Sequence, residues 1–188
     1  KFRAADWGYS SPACVLWFAV DYNNNLWLYR ELYTSKVTAD VFARQVLELE
    51  TGEYIQYGVL DSSTWAKRGD VGPSIAETMI QQGCRWRQSD RSPKSRISGK
   101  LEIHKRLSVN DKEPGLRIFK NCRNLIRTLS TLPTDKKNPE DVDTNAEDHA
   151  YDALRYGCMS RPLHPKYAQR FKPMFTPEFK PADNKFGY

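Results

Sequence analysis

The stretch that decides the fold lies near the end of the chain and reads Glu147-Asp148-His149-Ala150-Tyr151-Asp152-Ala153-Leu154-Arg155-Tyr156-Gly157. As a helix, it places Asp148 and Asp152 four residues apart on one face, with His149 bordering that face. Gly157 predicts the C-terminal end of the helix. Two carboxylates at this spacing indicate either a bound cation or a solvated acidic helix end, because acids favour first turns. The helix alone leaves both alternatives open, so acids elsewhere in the chain must decide.

The region before this helix is strongly basic. Residues 85–127 carry thirteen Lys or Arg and four Asp or Glu, a net charge of +9 against +6 for the whole chain. Such a concentration favours contacts with phosphates, which supply most of the sequence-independent affinity for DNA. The alternative is a solvated basic surface, or Lys and Arg side chains whose alkyl stems cover the hydrophobic core. The candidates for DNA contact are Arg85, Arg87, Arg91, Lys94, Arg96 and Lys100.

The same region contains several local elements. We expect helices at Ser98–Leu107 and Asn121–Leu129, a turn at Asn110–Gly115 and a short strand at Leu116–Phe119. Pro133 ends the second helix, and a polar loop leads from there to the acidic helix.

The N-terminal half begins with three predicted strands. The first ends at Asp6, the second is Ala13–Val20 and the third is Leu26–Tyr33, all rich in aromatic and aliphatic residues. Short turns join them, so they form an antiparallel meander. A helix at 38–51 follows, then a buried strand, Tyr54–Leu60, which ends directly at Asp61.

A strand that follows a helix usually joins the existing sheet by a right-handed crossover. The chain therefore predicts an α/β fold with a mixed central sheet flanked by helices, including a second helix from Ser74 to about Gly83. The first and fourth strands should be neighbours, which places Asp6 and Asp61 at their carboxyl ends, where open α/β sheets carry their sites. The alternative is that each acid is only a turn starter or helix cap.

Three carboxylates, Asp6, Asp61 and Asp152, could thus meet at one site. Mg²⁺ and Mn²⁺ prefer such oxygen ligands, and two ions can clamp the attacking and leaving oxygens of a phosphoryl displacement. In this hypothesis Asp6 bridges both ions, a Lys or Arg from 85–106 balances phosphate charge, and His149 assists proton transfer.

The sequence resembles the C-terminal nuclease domain of tailed-phage terminase large subunits. Three motifs carry the resemblance: Asp6-Trp7-Gly8, Leu60-Asp61-Ser62-Ser63 and Asp148–Tyr156. The resemblance implies a ribonuclease H-like fold that cuts concatemeric double-stranded DNA with Mg²⁺ or Mn²⁺, and the three acids lead us to expect two ions. It implies metal ligands at Asp6, Asp61 and Asp152, with Asp148 and His149 as accessory residues. Spacing leaves open which of Asp148 and Asp152 is the principal ligand, and we favour Asp152.

The resemblance also implies partners. An ATPase motor domain should precede this chain, which itself has no G-x-x-x-x-G-K-[ST] loop. The small terminase subunit, the portal and double-stranded DNA are the other expected partners, in the cytoplasm of an infected bacterium. The nuclease domain should span 1–160, followed by a Pro-rich tail at 161–188 that lies on the domain or reaches a partner.

Composition excludes several other classes. No run of about 18 apolar residues and no signal peptide occur, which argues against a membrane or secreted protein. The four cysteines contain no CxxC pair, so we expect reduced, mostly buried thiols and no zinc knuckle.

Two other functions remain open on the residues alone. One is a Holliday-junction resolvase or ribonuclease H-type enzyme, which would differ in its preference for branched or hybrid strands. The other is a catalytically idle module that docks on DNA or the portal, which would bind without a divalent ion and would not cut.

Overall fold

The computed structural model describes residues 1–67, 72–108, 114–136 and 138–162. These residues form one six-stranded mixed sheet with helices on both faces. The strands are β1 (Phe2–Asp6), β2 (Ala13–Val20), β3 (Leu26–Thr34), β4 (Gly58–Leu60), β5 (Arg87–Gln88) and β6 (Leu116–Ile118), in the spatial order β5-β4-β1-β2-β3-β6.

The predicted topology is confirmed. Strands β1, β2 and β3 form the antiparallel meander. Strand β4 pairs with β1 in parallel, in a register that sets Ala4 opposite Val59 and Ala5 opposite Leu60. The fold class, α/β with a mixed sheet and helices on its faces, therefore matches the expectation. Strand β5 is a parallel neighbour of β4 that the sequence analysis missed, because two exposed polar residues show no apolar pattern.

Five α-helices and a 3₁₀ turn complete the fold. The helices are α1 (Ala39–Leu49), α2 (Ile75–Gln81), α3 (Ser95–Leu107), α4 (Arg123–Thr131) and α5 (His149–Ser160), and the 3₁₀ turn is Ser62–Trp65. In the described part of the chain, no helix has the length and apolar character needed to cross a membrane.

The alternation of β2 creates two cores. Val15 and Trp17 face one side of the sheet and pack with residues of α1 and α2, while Leu16 and Phe18 face the other and pack with α5. Helix α5 lies across β1, β2 and β4 and also contacts α3 and α4. The four cysteines are buried and free, as expected.

The prediction that Gly157 ends the acidic helix is wrong. Helix α5 runs through it to Ser160. A Cβ on Gly157 would lie 2.5 Å from the Phe18 ring, so this glycine serves a close approach of the helix to the sheet, which the sequence alone cannot distinguish from a helix stop. The helix begins at His149, with Asp148 as its N-cap.

Other differences between the predicted and the observed elements concern their first and last residues. The strand expected at Tyr54–Leu60 is regular only over β4, Gly58–Leu60. Helix α3 starts three residues earlier than expected, at Ser95. Residues 110–113 of the predicted turn, and residues 163–188 of the predicted Pro-rich tail, lie outside the described residues.

Candidate active site

The ends of β1 and β4 bring Asp6 and Asp61 to the same edge of the sheet. Asp6 follows Ala5 and Asp61 follows Leu60, and Ala5 and Leu60 are the last pair in the register between β1 and β4. The Asp61 amide donates to the Ala5 carbonyl at 3.1 Å. Neighbouring strands are about 4.8 Å apart, so the two residues are adjacent. The Asp61 carboxylate accepts hydrogen bonds from the Ser63 amide and hydroxyl and so caps the 3₁₀ turn. Its capping role, considered above as an alternative, therefore coexists with its place at the strand end.

Helix α5 carries the third acid to this edge. Ala150, Ala153 and Leu154 are fully buried and fix the helix against the sheet, which leaves His149, Asp152 and Tyr156 directed at the strand ends. The Nδ1 atom of His149 lies 3.0 Å from Asp6 Oδ2. The helix contacts Asp6 through His149 and Asp61 through Tyr156, and the charge of Asp152 acts on Asp6.

A tyrosine in the quoted motif contacts the second strand-end acid. Tyr156 donates its hydroxyl hydrogen to Asp61 Oδ1 at 3.2 Å. Since Tyr156 follows Asp152 by one helical turn, the helix period could have identified it as a neighbour of the site.

Two arginines donate hydrogen bonds to the Asp152 carboxylate. Arg155 Nε donates to Oδ1 at 3.0 Å, and an Arg96 terminal nitrogen donates to Oδ2 at 3.1 Å. Arg96, in the first turn of α3, also donates from Nε to Asp141 at 2.8 Å and lies 3.7 Å from Asp148. No local sequence pattern indicates Asp141 or its ion pair with Arg96, because the two residues lie 45 positions apart in the chain. We refer to Asp6, Asp61, Asp141, Asp148, Asp152, His149, Arg96, Arg155 and Tyr156 as the candidate site.

Negative charge exceeds positive charge in the candidate site. Burial raises the pKa of Asp6 from 3.8 to about 6; the His149 hydrogen bond opposes this, and the charges of Asp152 and Asp61 add to it. Burial, together with the charge of Asp152, also raises the pKa of Asp148. The pKa of His149 is raised chiefly by its hydrogen bond to Asp6. Five carboxylates thus share two guanidiniums and one imidazole, an arrangement that favours an added proton or cation.

The donor types suit a hard divalent ion. The acids of the site offer carboxylate oxygens, the ligands that Mg²⁺ and Mn²⁺ prefer, and the pKa of Asp6 is raised first by burial and further by the charges of Asp152 and Asp61. As the side chains stand, no three His, Cys, Asp or Glu residues in the described part of the chain form a group that could hold a metal ion. Metal binding would therefore require side-chain rearrangement, above all at Asp152, where both oxygens already have partners.

The residues expected to contact DNA fall into two sets. Arg85, Arg87, Arg91 and Lys94 are exposed around β5 and the loop before α3. Arg96 and Lys100 are partly buried and bind the protein itself: Arg96 as described, and Lys100 through the carbonyls of Pro139 and Asp141, each at 3.1 Å. Their assignment to DNA stays a prediction.

Comparison with solved structures shows which proteins share the fold. The chain resembles the large terminase of the thermophilic bacteriophage D6E, in a complex with ATP-gamma-S, with a TM-score of 0.67 and 14% identity over 84% of this chain and 38% of that one. It resembles the P22 large terminase nuclease domain with a TM-score of 0.63 and 17% identity, over 85% and 80% of the two chains. It resembles the nuclease domain of the bacteriophage SPP1 large terminase, with bound Mn, with a TM-score of 0.61 and 20% identity over 82% of each.

These likenesses show the ribonuclease H-like fold of terminase nuclease domains, as the resemblance of the motifs implied. The chain spans less than two fifths of the length of the D6E terminase. No protein-family model and no curated protein matches the sequence.

Proposed function

We propose that this chain is the nuclease domain of a phage large terminase and hydrolyses phosphodiester bonds of double-stranded DNA with divalent metal ions. The observation that carries the proposal is the placement of Asp6 and Asp61 at adjacent strand ends, where helix α5 bonds both acids through His149 and Tyr156 and brings the charge of Asp152 near Asp6, in a fold shared with terminase nuclease domains. The bound Mn of the SPP1 nuclease supports Mn²⁺ or Mg²⁺ as the cofactor.

Asp6, Asp61 and Asp152 would hold the ions, a pair in the two-metal mode, with Asp148 beside them. Bound ions of this kind stabilise charge on phosphoryl oxygens and lower the pKa of a bound water. Three neighbours orient the acids: His149 bonds Asp6, Tyr156 bonds Asp61 and Arg155 bonds Asp152. Because 22% of the His149 side chain is exposed, this residue could also accept or return a proton.

The exposed basic residues provide the second part of the proposal. Arg85, Arg87, Arg91 and Lys94 would contact the phosphates of the duplex without reading its sequence. We expect DNA binding, measured by fluorescence anisotropy in EDTA, to weaken steeply with rising salt. A salt-independent affinity would remove these residues from the DNA interface.

The wider assembly is part of the same proposal. This chain covers 38% of the D6E large terminase, which was solved in complex with ATP-gamma-S; both facts support an ATPase motor domain, which the motif resemblance implies on the N-terminal side of this one. The small terminase subunit and the portal would be further partners, and concatemeric DNA in the cytoplasm of the infected host would be the substrate.

Plasmid cleavage tests the activity. The purified chain should nick and linearise supercoiled plasmid with Mn²⁺ or Mg²⁺ but not with EDTA, and Asp61→Ala should reduce the rate more than about a hundredfold. Glu48→Ala removes an exposed acid of α1, remote from the strand ends, and should cut like the wild type.

Two outcomes would contradict this account. Normal cleavage by Asp61→Ala would exclude Asp61 as a ligand. Metal-independent DNA binding without any cleavage by well-folded wild type would favour a docking module instead.

A further inference from the structure

Asp152, a proposed metal ligand, has no free oxygen in this structure. Arg155 holds Oδ1 at 3.0 Å and Arg96 holds Oδ2 at 3.1 Å. A carboxylate with a guanidinium on each oxygen can bind a divalent ion strongly only if one guanidinium moves. Otherwise the divalent ion and that guanidinium would repel each other at close range in a partly buried site. The structure distinguishes which of the two arginines can move.

Arg155 is held in place. Its side chain is 5% exposed, its guanidinium lies 4.5 Å from the centre of the Tyr156 ring, and its stem packs on the backbone of α3. A Cβ added at Gly99 would lie 2.4 Å from Arg155 Cγ, so the glycine provides the space for this stem. Arg155 therefore belongs to the packing between α3 and α5.

Arg96 is held more loosely. Its side chain is 32% exposed and projects from the first turn of α3. It also has a second partner, Asp141, at 2.8 Å, which would retain the guanidinium if the bond to Asp152 were lost. Its third contact, with Asp148 at 3.7 Å, is an ion pair longer than a normal hydrogen bond.

Arg96 thus occupies the place of a cation. It joins three carboxylates, two of which stand four residues apart on the same helix and repel each other. We propose that Arg96 is a resident counter-cation of the candidate site: it holds Asp148 and Asp152 together when no metal is bound, and it leaves Asp152 but keeps Asp141 when Asp152 takes a divalent ion. This inference rests on the proposed metal site and makes Arg96 a positioning residue.

The affinity for Mn²⁺, measured by isothermal titration calorimetry without DNA, tests the inference directly. Arg96→Ala removes a competing positive charge and should bind Mn²⁺ roughly tenfold more tightly than the wild type. Arg96→Lys keeps the charge but loses the planar fork that joins three carboxylates, so its affinity should lie between the two. Lys105→Ala removes an exposed charge from the same helix and should leave the affinity unchanged.

Thermal melting provides a readout of the counter-cation role itself. In EDTA, Arg96→Ala should melt at a lower temperature than the wild type, because Asp148 and Asp152 lose their shared partner. Mn²⁺ should then raise the melting temperature of Arg96→Ala more than that of the wild type. Equal or weaker Mn²⁺ binding by Arg96→Ala would overturn the inference.

Asp152→Asn separates this inference from the proposed function. If the wild type binds Mn²⁺ and Asp152→Asn does not, the metal site stands, and the Arg96 variants then decide the role of the arginine. If neither the wild type nor Arg96→Ala binds Mn²⁺ through Asp152, the proposed metal site and the inference both fail.

Discussion

Two of the clusters that join arginines to carboxylates differ in charge balance. In the first, Arg3 Nη1 donates to both carboxylate oxygens of Glu50, at 2.7 and 2.6 Å, and the Trp17 indole donates to the same carboxylate at 2.7 Å. Both charged side chains are less than a tenth exposed. In the second, the candidate site, five carboxylates are accompanied by two guanidiniums, which pair with Asp141, Asp148 and Asp152, and by one imidazole, which pairs with Asp6.

The difference indicates different roles. One guanidinium and one carboxylate in the first cluster neutralise each other, so this cluster gains nothing from an added ion and acts as a structural link between β1 and the end of α1. The candidate site retains excess negative charge, and the charges of Asp152 and Asp61 add to the effect of burial in raising the pKa of Asp6. An added cation would therefore stabilise the second cluster and leave the first unaffected.

Breaking the balanced cluster should have the largest effect on stability. Glu50→Ala leaves Arg3 buried without its counter-charge, which should cost about 3–5 kcal/mol of unfolding free energy. Urea denaturation at neutral pH measures the loss, and Mn²⁺ should not restore it. Arg44→Ala, which breaks an exposed pair with Asp40 on α1, is the control and should leave the urea midpoint nearly unchanged. A small loss in Glu50→Ala would mean that Arg3 finds another partner.

Removing one acid from the unbalanced cluster should act in the opposite direction. The folded-state pKa of Asp6 is raised from 3.8 to about 6, so its contribution to stability is fully present below about pH 3.8 and is lost as the pH rises through about 6. Without metal, the free energy of unfolding of Asp6→Asn should therefore rise by about 2–3 kcal/mol relative to that of the wild type as the pH increases from 3.8 to about 6. Urea midpoints measured in EDTA from pH 4 to 8 test this.

The same experiment contains its own checks. The raised pKa of His149, caused first by the bond to Asp6, acts in the same direction, because its stabilisation is lost as the pH rises through the folded-state value. Mn²⁺ at neutral pH should stabilise the wild type and not Asp6→Asn. A constant difference in urea midpoint between the two proteins across this pH range would show that the pKa of Asp6 is not raised in the folded protein.

The two faces of α5 extend the comparison, since one face serves the candidate site and the other packs in the core. Gly157→Ala places a methyl group 2.5 Å from the Phe18 ring and should cost about 1–3 kcal/mol through overpacking. Adding Phe18→Leu should recover part of that loss by making room, and urea unfolding of the single and double variants measures the coupling. Strictly additive losses would contradict the proposed contact.

The smallest effect should come from a single hydrogen bond at the site. Tyr156→Phe removes the hydroxyl that orients Asp61 at 3.2 Å, which should cost about 0.5–1.5 kcal/mol in the cleavage barrier, or a severalfold lower rate. Tyr54→Phe, at a side chain that is 82% exposed, is the matched control. Equal rates for both variants would show that Tyr156 does not orient the ligand.

The fold and the placement of the three acids, two at strand ends and one on a helix, could be predicted from the sequence because they depend on local patterns and on one topological rule. Asp6 and Asp61 each end a recognisable apolar strand, and a crossover after a helix makes these strands neighbours. Asp152 lies on a helix with a clear apolar side. These features need no knowledge of distant contacts.

The remaining features depend on contacts between distant segments. Arg96 reads as one more charge in a basic run, and only the fold shows that it meets Asp141 and Asp152. Gly157 reads as a helix end, and only packing against Phe18 shows why it is glycine. Strand β5 is recognisable only from its pairing with β4.

The location of a bound metal ion tests the central claim most directly. Crystals grown with Mn²⁺, with diffraction recorded at the manganese absorption edge, would reveal the ion by its anomalous signal. We predict a peak among the carboxylates of Asp6, Asp61 and Asp152, with the Arg96 guanidinium displaced from Asp152 towards Asp141. The absence of a peak at this edge of the sheet, with manganese bound elsewhere on the protein, would contradict the account.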